Sequence, residues 1–322
     1  NINKIIESKN ISVVLFEGDH ASLIDYNFIF DVSNKVKKGL FLGDNMEWHQ
    51  VNLITGSACD FIFPEDPISV LKFREIGYKS FFVPIECNED IFKDYGQEKD
   101  IDVLIFGRLK TDREFYIDKL RESEINFKFV TPYLPESDSM LKLAKLINRS
   151  KITLALTKSA NGTKYFNPLK NFKNFYQLKG RVFMTGLCKS LCISEYCPSY
   201  DLIYRNETIP VFKNKDEFLP LIKTYLENEK LLEEKTEAFY KETQRYADKN
   251  YINEINMFIN SCPKMKHQKP KFPLWYHYLF TNQFLRFRLK NNKFTSFYKQ
   301  FIEIITDFKE DNFLDNCIKK YS

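Results

Sequence analysis

The sequence predicts an α/β fold of two Rossmann-like, doubly wound domains facing a cleft, followed by a helical C-terminal tail. Three observations carry this. Short, continuously apolar runs alternate with polar helical stretches, the pattern of a parallel sheet covered on both faces. The pattern breaks at a polar joint, "GQEKD" at residues 96–100, and then starts again. Finally, 322 residues exceed one ordinary core and suit two, at about 150 residues per domain. A hydrophobic content of 43% and an aromatic content of 16% supply cores of that size and exclude wholesale disorder.

In the first half the expected strands are "ISVVLFEGD", "KKGLFLGDN", "CDFIFPED" and "SFFVPIECN". Between the last two, "PISVLKFREIG" starts with proline and stops at Gly77, as a short helix should. After the joint, "IDVLIFGRL", "INFKFVTPY", "KITLALT" and "TIPVFK" read as strands. "DREFYIDKLRES" is an amphipathic helix with Phe115, Ile117 and Leu120 as its apolar positions, and "DSMLKLAKLINRS" is another, with Leu141, Ala144 and Leu146 as core. "KGRVFMTGLCKSLCISEYCPSYDLIYRNE" holds a short helix around Gly186 and a buried strand ending at Glu195. "KDEFLPLIKTYLENEKLLEEKTEAFYKETQRY" reads as one or two exposed helices. The expected boundaries are 1–97, 98–262 and a tail at 263–322. Residues 1–97 are lean for a Rossmann half, and the chain opens at Asn1 without Met, so an initial βαβ unit is expected upstream.

Composition limits the function classes. A net charge of +5, from 48 basic and 43 acidic residues, is too mild to call for nucleic acid and fits a small anionic substrate or an anionic membrane surface. The seven cysteines, an odd and scattered set, indicate reduced thiols in the cytoplasm. Cys188, Cys192 and Cys197 lack the spacing of paired zinc knuckles and read as small buried hydrophobes, so no metal is expected. There is no run of about 18 apolar residues to span a bilayer and no signal-peptide pattern. The tail from 263 interleaves bases with aromatics; it fits either a surface helix on the inner face of a membrane or a helix packed back on the protein.

Candidate chemistry lies at strand ends, where open α/β sheets bind ligands. In the first domain these are Asp19 and His20 after one strand and Asp44 after the next, with Asn45, Glu47 and His49 beyond. Each acid is either a general base toward a hydroxyl or the cap of the following helix. In the second domain "FGRLKTDR" offers Gly107 for close backbone approach and Arg108, Lys110 and Arg113 as cations before a helix. Lys179 and Arg181 form a second basic cluster on the same sheet, able to face the first across a pyrophosphate. Glu195 and Asp201 could then accept hydrogen bonds from ribose or sugar hydroxyls. GxGxxG, the P-loop, HExxH and GxSxG are all absent.

The stretches "IDVLIFGRLKTDREFYIDKLRESEINFKF" and "LKGRVFMTGLCKSLCISEYCPSYDLIYRNETIPVFKNKDEFLPLIKTYLENEK" resemble the C-terminal domain of group-1 glycosyltransferases of the CgeB-like, spore-maturation branch. "GLFLGDN" and "CDFIFPEDPISVLKFREIGYKSFFVPIECNEDIF" resemble the N-terminal half of that branch, so the likeness runs over about residues 35–245. It implies a GT-B fold with a nucleotide-sugar bound mainly by the second domain, no cofactor, and basic side chains in place of a metal at the leaving diphosphate. The implied partners are that donor and a glycan or lipid-linked acceptor in surface polysaccharide or glycoconjugate synthesis. By position, Arg108 matches the phosphate-contacting Arg of the family's "GRL", with Lys110 or Arg113 near its partner Lys. Arg181 matches the Arg of the "K-x-R-x-F-E" segment, and Asp201 falls where relatives carry an acid after a turn. Two departures stand out: Met184 replaces a common Glu, and Tyr176, eight positions earlier, replaces the other Glu of the retaining enzymes. These keep open an inactive GT-B module that binds glycan or a partner enzyme, and a sugar-nucleotide epimerase as a third reading.

Overall fold

The computed structural model describes residues 2–18, 26–43, 45–107, 111–131, 137–158, 176–205 and 208–267. These form two compact units. The first comprises the described residues of 1–65, 69–82 and from Ile259 onward; the second comprises Asp66–Ile68 and Val83–Phe258. Both are built on parallel sheets.

In the first unit, β1 (Val13–Gly18), β2 (Lys37–Leu42) and β3 (Phe61–Pro64) pair in that order. The helices α1 (Ile2–Ser8), α2 (Tyr26–Asp31), α3 (Asn45–Gly56) and α4 (Pro67–Glu75) accompany them. β3 is buried at all four positions, as an apolar run needs when both faces are covered. The expected fourth strand, "SFFVPIECN", does not form. Beyond a single bridge from Ser80 to Ile62, this segment makes no ladder. Its apolar residues are instead spent in packing: Phe82 and Cys87 are buried, and Pro84 has no N–H to give a ladder. Lys38 is fully buried on β2, and its ammonium donates to the carbonyls of Ile29 and Phe30 at 3.0 and 3.3 Å and to Asn34.

In the second unit the strand order is β5-β4-β6-β7-β8, with β4 at Ile101–Phe106, β5 at Phe127–Val130, β6 at Ser150–Ala155, β7 at Leu191–Glu195 and β8 at Val211–Phe212. Helix α5 (Thr111–Arg121) links β4 to β5, and α6 (Ser137–Asn148) links β5 to β6 on the other side of β4. The winding therefore reverses between β4 and β6, the switch point at which such sheets bind ligands beyond the carboxyl ends of their strands. α7 (Arg181–Leu187), α8 (Tyr200–Ile203), α9 (Phe218–Leu226), α10 (Glu229–Gln244) and α11 (Asp248–Ser261) complete the described chain. The segment read as one or two helices is two, because Asn228 caps α10 by accepting from the Leu231 N–H at 3.0 Å.

The core of this unit joins Val103 and Ile105 of β4, Ile152 and Leu154 of β6, and Leu191 and Ile193 of β7 to Ile117 and Leu120 of α5 and Phe218 and Ile222 of α9. Each large side chain buried there contributes about 1.5–3 kcal/mol. The apolar face of α6 is shifted from the expected one: Leu143, Ala144 and Ile147 are buried, while Leu141 and Leu146 are only half-buried. Cys188, Cys192 and Cys197 are fully buried, and burial raises all three thiol pKa values, Cys188 and Cys197 to about 12. Among the described residues, no group of three or more His, Cys, Asp or Glu side chains has the arrangement of a metal site. No described helix is long and apolar enough to cross a membrane.

Gly186 marks the closest helix contact. A Cβ added there would collide with the side chain of Thr243, which is fully buried on α10 and donates to the Phe239 carbonyl at 2.8 Å. Thr243 has no solvent to retreat into. Gly186→Ala is therefore expected to lower stability by about 1–3 kcal/mol by overpacking, read as a lower midpoint in denaturant. A midpoint at or above wild type would show that α7 and α10 have room to part.

Candidate functional site

Strand β4 runs into Gly107, whose φ of +131° lies where residues with a Cβ are rarely found. The N–H of Gly107 donates to the Val130 carbonyl at 3.0 Å, so the pairing with β5 carries one residue past the end of β4. A Cβ placed on Gly107 would lie 3.1 Å from Nη1 of Arg113 and 3.2 Å from both terminal nitrogens of Arg181. Glycine thus leaves the space into which two guanidinium groups converge.

The two arginines arrive on different elements. Arg113 stands in the first turn of α5, is 8% exposed, and donates from Nη2 to the carbonyl of Leu156, just past β6, at 3.4 Å. Arg181 opens α7; its Nη1 donates to the carbonyl of Phe106 at 3.2 Å, and its guanidinium lies over the Phe106 ring at 5.7 Å. Burial lowers the pKa of Arg113, the Arg181 charge adds to this, and it settles at about 10. Burial likewise lowers that of Arg181, opposed first by Glu86. Both remain cationic near neutral pH. Among the described residues, no carboxylate comes within ion-pair distance of Arg181. A buried and a partly buried guanidinium thus converge on one strand end, an arrangement whose chemistry suits an anion.

Glu195, the last residue of β7, is 8% exposed and acts on both arginines as a counter-charge. Its Oε1 accepts from the Tyr116 hydroxyl at 2.9 Å, and its Oε2 accepts from the Lys158 N–H at 3.0 Å. Both oxygens are thus engaged by α5 and by the end of β6. Asp201 is exposed on α8 and accepts the Tyr196 hydroxyl at 2.7 Å. Lys179 is half-buried beside Glu86, whose pKa burial raises against the opposing charges of Arg181 and then Lys179. Arg108 and Lys110 lie outside the described residues, as do Asp19, His20 and Asp44. Of the neighbours named with them, Asn45 is fully buried, and its Oδ1 accepts from Asn52 at 2.8 Å. Its Nδ2 lies 3.4 Å from Nδ1 of His49, and burial next to Lys72 lowers the His49 pKa to about 4, leaving a neutral imidazole at physiological pH. Met184 is buried within α7, and Tyr176 is bridged to Lys158.

Two carboxylates were not legible as site residues. Asp66, fully buried, accepts from the N–H of Leu178 at 2.9 Å, from Ser199 Oγ at 2.9 Å on each oxygen, and from the N–H of Ile68 at 2.9 Å. It holds the chain two residues before Gly180 and so helps to position Arg181. The motif "EDPISV" signals a helix start at this residue but not a partner 133 residues away. Glu86 packs its carboxyl on Gly180, and only its positive φ of +62° sets it apart locally.

Residues 105–255 match the family model described as glycosyl transferase-like. No curated protein matches. Among solved structures, the chain is similar to the pneumococcal O-GlcNAc transferase GtfA in complex with UDP and GlcNAc, with 10% identity, a TM-score of 0.49, and coverage of 81% of this chain and 59% of that one. It is similar to a sucrose-phosphate synthase from Thermosynechococcus elongatus, with 7% identity, a TM-score of 0.53, and coverage of 80% and 76%. It is also similar to a Staphylococcus aureus TarM mutant in complex with fondaparinux, alpha-GlcNAc-glycerol and UDP, with 10% identity, a TM-score of 0.50, and coverage of 72% and 53%. The fold is the parallel α/β fold shared with the sucrose-phosphate synthase, and the chain spans 59% of the length of GtfA.

The Asp66 clamp yields a direct expectation. Asp66→Ala leaves the Leu178 N–H and the Ser199 hydroxyl buried without their acceptor, at a cost of about 2–4 kcal/mol in all. Urea unfolding should show this loss, and a change below about 0.5 kcal/mol would mean that the clamp contributes nothing to the fold.

Proposed function

We propose that the protein is a glycosyltransferase that holds the diphosphate of a nucleotide-sugar between Arg113 and Arg181 at the end of β4. The observation that carries this reading is the convergence of the two guanidinium groups on Gly107 at the switch point of the sheet. The glycosyl transferase-like match over residues 105–255 supports it. In the reaction, the bond between the anomeric carbon and the diphosphate oxygen breaks with its electron pair on oxygen. The acceptor hydroxyl forms the new bond to that carbon and gives up its proton. The leaving diphosphate gains one negative charge, and two cations fixed beforehand stabilise it without reorganising. No metal or cofactor is required by this scheme.

Arg108, Lys110 and Lys179 complete the donor site in this reading, with Asp201 at its edge. Donor binding falls to residues 98–262 and the acceptor to 1–97, where Asp19, His20 and Asp44 are the candidate bases. The acceptor is a glycan or lipid-linked glycan of surface polysaccharide or glycoconjugate synthesis, made in the bacterial cytoplasm, with the basic aromatic tail as a peripheral membrane contact. The CgeB-like branch is part of the same proposal, supported by the "GRL" and "KGRVF" segments. One observation favours a different reading, an inactive module that binds glycan or a partner enzyme. The place where relatives carry a glutamate is taken by a buried methionine, Met184.

Turnover separates these readings. With nucleotide-sugars as donors, release of nucleoside diphosphate is expected from the wild type. Arg181→Ala and Arg113→Ala should each slow it by about 10²-fold or more, the usual effect of removing one charge-stabilising donor. Release unchanged in both variants overturns the site. No release from any donor, with ligand still bound, favours the inactive module.

A further inference from the structure

Glu86 differs from the other buried or cation-facing carboxylates of the second unit. Glu195 and Asp66 have both oxygens taken up by hydroxyls and backbone N–H groups. Glu86 is held against Gly180, where a Cβ would meet its Oε2 and lie 2.8 Å from its Cδ. Among the described residues, however, no hydrogen bond and no ion pair reaches its carboxylate. Its φ of +62° is a conformation that L-residues avoid, and here it sends the side chain toward α7. The residue as a whole is exposed, while its carboxyl packs on Gly180.

The charges around this carboxyl come from two segments. Arg181 and Lys179 flank it from the start of α7, and Cys87 follows it on its own segment. Beyond Arg181 stand Arg113 and Glu195. Enclosure by protein raises the Glu86 pKa, while Arg181 and then Lys179 pull it back. Among the described residues, such a group is neither a structural acceptor nor half of a closed salt bridge. It is an anion stationed beside the cations that the proposed diphosphate uses.

We infer that Glu86 is the resident counter-ion of Arg181 and Lys179, and that it sets the affinity of this site by competing with an incoming diphosphate for their charge. The inference rests on the diphosphate reading of the site and adds a residue that tunes it. Glu86 screens the cations in the empty protein. When a diphosphate arrives, the negative charge of Glu86 opposes it across Arg181, so binding is weaker than the arginines alone would give. Gly180 belongs to the same device, because any side chain there would force the carboxyl away.

Isothermal titration of the whole chain with UDP, ADP, GDP and dTDP, and with inorganic pyrophosphate, tests this. Two variants remove the charge in different ways: Glu86→Gln keeps the shape, and Glu86→Gly suits the left-handed backbone. Both are expected to tighten binding of the preferred nucleotide and of pyrophosphate by about tenfold, the scale of one like charge removed near a partly buried anion. Unchanged or weaker pyrophosphate binding in both variants overturns the inference. Weaker nucleotide binding with unchanged pyrophosphate binding also overturns it and makes Glu86 an acceptor for ribose hydroxyls instead. If neither the wild type nor the variants bind any of these probes, the diphosphate reading falls, and this inference with it.

Discussion

The absence of a side chain at residue 107 is the constraint on which the site depends. Gly107 follows β4 in a backbone conformation that glycine alone adopts readily, and the space it leaves is filled by Arg113 and Arg181. Two like charges do not approach by preference. They are held there by backbone carbonyls, from Leu156 for Arg113 and from Phe106 for Arg181, and by the counter-charge of Glu195. Glu195 is in turn held in place by hydrogen bonds from the Tyr116 hydroxyl and the Lys158 N–H. The sheet order places all of these groups at one end of neighbouring strands. What results is positive charge that is prepaid in folding and available to an anion.

The chain reaches the site through tight packing more than through loop chemistry. α7 is buried from Val182 to Leu187, and Gly186 lets α10 press directly on it. Arg181 sits at the head of this helix, so its position is inherited from the core. Asp66 and Gly180 fix the approach to the helix from the other end. A group positioned in this way loses little entropy when a ligand binds, which favours stabilisation of charge as it develops.

Much of this was legible in the sequence, for definite reasons. The apolar runs ending at Gly18, Gly107 and Glu195 are strands because β-rich apolar segments between helices have few other places to go. Gly107, Arg113 and Arg181 could be singled out because strand-end loops before helices are where anions bind. The segment "SFFVPIECN" was misleading, since its aromatic and β-branched residues promise a strand while Phe82 and Cys87 are used in packing. In α6 the buried face was misjudged because leucines on both sides of the stripe look alike in one dimension. Glu195 looked free to bind hydroxyls because Tyr116, its partner, is 79 residues away and sits in a helix whose apolar positions alone were counted. Asp66 and Glu86 were invisible for the same reason: their contacts with Leu178, Ser199 and Gly180 exist only in the folded chain.

The central claim is that Arg113 and Arg181 meet a diphosphate at the end of β4. A crystal structure of the chain with a bound nucleoside diphosphate tests it most directly. The account predicts phosphate oxygens within hydrogen-bonding distance of both guanidinium groups, above Gly107 and beyond the ends of β4 and β6. A nucleotide bound elsewhere, with the two arginines still facing each other across empty solvent, would contradict it.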